Sequence, residues 1–94
     1  MFCERKYENI INILCKAKGV SKKELMNVLE EEECEYLFFL LLKKYNCLDE
    51  ERLRKDFNLK NIENKSKIAE QKFFVNHQFR EGYFEILNHI KKIG

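Results

Sequence analysis

At 94 residues the chain is shorter than the usual domain of about 100–150 residues, so it reads as one helical domain over residues 1–94 with a single core. Its 45% hydrophobic and 13% aromatic content does not fit intrinsic disorder, and its lack of proline, with glycine only at Gly19, Gly82 and Gly94, does not fit an all-β domain. The net charge of +2 is unevenly placed: residues 1–51 hold 8 Lys/Arg against 11 Asp/Glu, net −3, and residues 52–94 hold 10 against 5, net +5, so the second half invites an anionic partner.

The first segment, "ERKYENIINILCKAKG", sets Tyr7, Ile10, Ile11, Leu14 and Cys15 at the spacing of an amphipathic helix, and Gly19 suits the left-handed residue that closes it. "SKKE", Ser21 to Glu24, has the form of a capping box, and predicts a short second helix from Lys22 to about Leu29 with Leu25, Met26 and Val28 or Leu29 inward. Glu30 to Glu35, "EEEECE", is read as a solvated helix start, since acidic side chains complement the positive end of a helix. "CEYLFFLLLKKY" is apolar almost all round; a buried strand is the rival reading, but the acidic entry, the Lys43 and Lys44 exit and the length favour a central buried helix.

"NCLDEERLRKDFNL" predicts a short fourth helix with Asp49 as N-cap and Leu53 and Phe57 inward. The polar corner "NLKNIENKSKIAEQ", Asn58 to Gln71, leads into a short fifth helix from Ser66 to Val75, with Ser66 as its cap and Ile68, Ala69, Lys72 and Val75 along one side. Asn76 caps the last helix, in which Phe79, Tyr83, Ile86, Leu87 and Ile90 keep the apolar stripe. The expectation is an all-α, compact bundle of about six helices around the third.

Cys3, Cys15, Cys34 and Cys47 are separated by 12, 19 and 13 residues, without a Cys-x-x-Cys or a nearby His pair, so neither a zinc site nor a redox motif is indicated. The longest apolar run, "YLFFLLL", has seven residues, far below the roughly 18 needed to cross a membrane, and no signal-peptide pattern occurs. A cytoplasmic, reduced protein without a membrane partner is expected. No carboxylate cluster frames His77 and His89 as ligands, no glycine-rich phosphate loop is present, and no base accompanies a cysteine. The reading is therefore not an enzyme, with no metal and no cofactor.

In order and spacing, "ENIINILCKAKGVSKKEL", "CEYLFFLLLKKYNCLDEERLRKDFN" and "NKSKIAEQKFF" resemble the C-terminal, Trp-repressor-like helix-turn-helix domain of DnaA replication initiators. The tail "NHQFREGYFEIL" is similar to the DnaA-like domain of REP-associated tyrosine transposases. The resemblance spans roughly residues 8–92, mostly in the apolar pattern. It departs at the start of the recognition helix, where the initiators carry a basic residue, a His and two Ser/Thr and this chain has Lys65, Ser66, Lys67 and Ile68, after a longer connection.

That resemblance implies a DNA-binding module tethering an initiator-like or transposase-like protein to double-stranded or hairpin DNA. Lys60, Lys65, Lys67 and Lys72 are the residues to neutralise phosphates, with Arg52, Arg54 and Lys55 flanking the backbone. Asn61, Asn64 and Gln71 are of the type that pairs with adenine, and Ser66 is suited to contact several bases. From Arg52 to Lys72 the chain holds 7 basic and 3 acidic residues, net +4. The alternative is a small protein-interaction module, an inhibitor or adaptor, meeting its partner through Phe73, Phe74 and Tyr83.

Overall fold

The computed structural model describes residues 4–93, with side chains described through His89. Its helices are α1 (Glu4–Lys18), α2 (Lys22–Val28), α3 (Glu32–Lys44), α4 (Glu50–Phe57), α5 (Ile62–Val75) and α6 (His77–Ile93), and no strand occurs among the described residues. The all-α expectation holds, and extents of 31 × 30 × 28 Å show the helices wrapped about a common centre. Cys3 lies outside the described residues, as does the side chain of Ile90.

The ends of the helices are set by local chemistry. Gly19, at φ +67°, closes α1: its N–H donates to Lys16 O at 3.3 Å and that of Val20 to Cys15 O at 3.0 Å, the paired bonds of a left-handed C-terminal cap. Asn46, at φ +57°, closes α3 in the same way, with the Cys47 N–H donating to Leu42 O at 2.7 Å. Ser21 and Glu24 form the capping box of α2, the Glu24 N–H donating to Ser21 Oγ at 3.2 Å and the Ser21 N–H to Glu24 Oε1 at 3.1 Å. Asp49 accepts from the Arg52 N–H at 2.9 Å at the start of α4, and Asn76 from the Phe79 N–H at 3.0 Å at the start of α6.

α3 is the central helix, burying Cys34 through Phe39 together with Leu41 and Leu42. Tyr7, Ile10, Ile11, Leu14 and Cys15 of α1 and Phe79, Tyr83, Ile86 and Leu87 of α6 close over it along the predicted stripes. Cys15, Cys34 and Cys47 are buried, and burial pushes the thiols of Cys15 and Cys34 up. Two expectations are corrected here. Met26 is exposed, while Leu25 and Leu29 are buried as expected. Glu30 to Glu33 are solvated, but Glu35, two residues further on, is buried.

Candidate nucleic-acid interface

α4 and α5 are joined by four residues, Asn58 to Asn61. Asn58 and Asn61 stand at φ +56° and +54°, in the left-handed region that asparagine tolerates better than most side chains. Leu59 and Ile62 turn into the core, which pins the connection and leaves Lys60 exposed between them. Asn61 makes no side-chain capping bond, so its amide is exposed and available at the head of α5.

The fifth helix is longer than expected and begins one turn earlier. Ser66 is no cap: it is 4% exposed and sits inside the helix, on the ridge formed by Ile62, Ser66, Ala69 and the half-buried Phe73. Small side chains at 66 and 69 let α5 lie close to α3, its most extensive neighbour. Ile68 and Val75, expected on the inner side, face solvent. The outward ridge, half a turn round from the buried one, runs Asn64, Ile68, Gln71, Val75.

The expected contact residues therefore divide into two groups. Lys60, Asn61, Asn64, Lys67 and Gln71 are exposed along the turn and the outer face of α5, with Lys67 Nζ loosely paired to Glu63 at 3.9 Å. Arg54 is exposed beside Glu50 at 3.4 Å, and Lys55 is exposed with no carboxylate in ion-pairing reach among the described residues. By contrast, Lys65, Ser66, Lys72 and Arg52 face the protein. Lys65 Nζ lies 3.2 Å from Glu35 Oε1, tying the first turns of α5 to α3. Lys72 Nζ lies 3.4 Å from Glu33 and over the rings of Tyr36 and Phe79, at 5.7 and 5.4 Å.

Arg52 is the most engaged cation of the three. It donates to Asp56 Oδ2 at 2.7 Å and to both oxygens of Glu4, approaches Glu8 at 3.6 Å, and stacks 4.8 Å from the centre of the Tyr7 ring. Tyr7 Oη donates to the same Asp56 oxygen at 2.9 Å. Burial raises the Asp56 carboxyl, but the hydrogen bonds from Arg52 and Tyr7 outweigh it and hold the group below the usual carboxylate range. These contacts fasten α4 to α1, which removes Arg52 from the expected flank of a DNA backbone.

Tyr83 does not belong to an exposed aromatic surface. It is buried, edge-on to Phe73 at 5.2 Å, and the solvent side of that corner is made by Phe74, Val75 and Phe84, exposed by 72%, 83% and 46%. Phe84 was legible from its phase, since it falls off the stripe of Phe79, Tyr83, Ile86 and Leu87. No cluster of three His, Cys, Asp or Glu side chains suited to a metal occurs among the described residues, and no helix there is long and apolar enough to cross a membrane. Comparison with protein-family models, curated proteins and solved structures finds no match to this chain.

Proposed function

We propose that the chain is a non-enzymatic DNA-binding module of the helix-turn-helix kind, with α4 as the supporting helix and α5 as the recognition helix. The observation that carries this reading is the α4–turn–α5 unit, with α5 backed by α3 and its opposite face bearing Asn64, Lys67 and Gln71 below an exposed Lys60 and Asn61. A recognition helix needs that division, one face in the core and one toward base edges. The likeness to DnaA-like domains supports the same assignment, and the role would be to tether a protein to duplex or hairpin DNA. Lys60, Lys67 and Lys55 are the cations for phosphates, and Asn61, Asn64 and Gln71 the amides for base edges. Lys65, Lys72 and Arg52 hold the recognition helix and its support in place.

The test is fluorescence anisotropy with a mixed-sequence duplex and a hairpin at low and moderate salt. Affinity is expected to fall as salt rises and to vanish in Lys60→Glu/Lys67→Glu while the circular dichroism spectrum stays unchanged. Undiminished affinity in that double variant would sink the assignment. A second reading, a protein-interaction module, is favoured by the exposed Phe74, Val75 and Phe84. It takes precedence if no duplex or hairpin is bound at low salt and an alanine substitution at Phe74 abolishes a partner contact.

A further inference from the structure

We infer that the outward ridge of α5 reads A·T base pairs through the major groove, an inference that rests on the duplex-binding reading above and specifies its substrate. Along that ridge amide and aliphatic side chains alternate: Asn64, Ile68, Gln71, Val75. Ile68 is 45% exposed between the two amides, which leaves its aliphatic side chain available to an apolar group in the groove.

Adenine presents an acceptor and a donor side by side in the major groove, which an Asn or Gln amide matches bidentately; thymine presents a methyl group, which takes an apolar contact. The alternation on α5 is the complement of that pair. Guanine readout draws on Arg or Lys, and the ridge carries no Arg. From Asn64 to Gln71 the helix rises about 10 Å, close to three base-pair steps, so the two amides address different pairs with Ile68 between them. Charge also fits an anionic occupant. The ridge itself bears no carboxylate, Lys67 flanks it, and Lys60 stands at its head with no carboxylate in ion-pairing reach among the described residues; the flanking acids Glu63 and Glu70 are already beside Lys67 and Lys43.

The experiment compares three duplexes of equal length by anisotropy at low salt: one A·T-rich, one G·C-rich, and the A·T-rich one with every thymine replaced by deoxyuridine, which deletes only the major-groove methyl. The full chain should prefer the A·T-rich over the G·C-rich duplex by about tenfold or more. Loss of the methyl groups should weaken it about fourfold, and Ile68→Ala should bind the thymine and uracil duplexes alike. Gln71→Ala should narrow the A·T preference without changing the uracil effect. Equal affinity for all three duplexes overturns the A·T readout and leaves general duplex binding standing. A uracil effect that persists in Ile68→Ala also overturns it, since the methyl is then sensed elsewhere. No affinity for any of the three overturns both this inference and the reading beneath it.

Discussion

Asp56 receives two donors on one oxygen, Tyr7 Oη at 2.9 Å and Arg52 Nε at 2.7 Å, and this sets how the α1–α4 contact responds to acid. Its carboxyl is held below the ordinary aspartate value of about 3.9, because the two hydrogen bonds favour the charged form more than burial disfavours it. A depressed folded value contributes stability that is present above the unfolded value and lost as pH falls through the folded one. Asp56→Asn should therefore flatten the decline of stability below about pH 4, as read by denaturant titration across that range. An acid limb as steep as that of the parent protein would assign the loss to other carboxylates. Tyr7→Phe keeps the buried ring and removes the donor, which should cost about 1 kcal/mol near neutral pH and raise the Asp56 value toward normal.

Among the elements, α5 is where packing overrode the local signals. A serine followed by Lys, Ile, Ala and Glu is a reasonable helix start, yet the helix begins at Ile62 and Ser66 is used for its small size against α3. Ser66→Ala should change stability by no more than about 1 kcal/mol and leave DNA affinity untouched, because the side chain is buried and its replacement is as small. Ser66→Leu should overpack the α3–α5 contact and cost about 1–3 kcal/mol, seen as a lower denaturant midpoint. A tolerated leucine would mean that α5 is free to shift on α3. The other helices were legible because their stripes are strong and their caps are explicit: Tyr7 to Cys15, the Ser21 box, Asp49, and Asn76 with the Phe79 to Leu87 stripe. The ridge of α5 holds only Ile62, Ala69 and Phe73 as apolar members, with Ser66 in the gap. Periodicity therefore could not separate its inner side from the exposed Ile68 and Val75. Nor does sequence spacing announce that Lys65 meets Glu35 or that Arg52 meets Glu4, since those partners lie 30 and 48 residues away.

Taken over the whole molecule, the excess positive charge of the second half is spent in two ways, and the two should separate experimentally. Arg52, Lys65 and Lys72 are matched by carboxylates of the acidic first half, Glu4 and Glu8, Glu35, and Glu33, so much of the charge asymmetry of the sequence is cancelled inside the fold. Lys60 and Lys67 remain outward. Lys65→Gln should lower stability by about 1 kcal/mol, because it leaves the buried Glu35 without its cation, and so lower the unfolding midpoint by about 4–8 °C. It should not alter the slope of log affinity against log salt for a duplex. Lys60→Gln/Lys67→Gln should do the reverse: the midpoint holds, and the slope becomes shallower by about 2, one for each phosphate that no longer meets a lysine. The crossed pattern is the decisive feature, since a general weakening of the fold would move midpoint and affinity together in both variants. If Lys65→Gln instead flattens the salt slope at an unchanged midpoint, Lys65 leaves Glu35 for DNA and the division between holding and contacting cations fails.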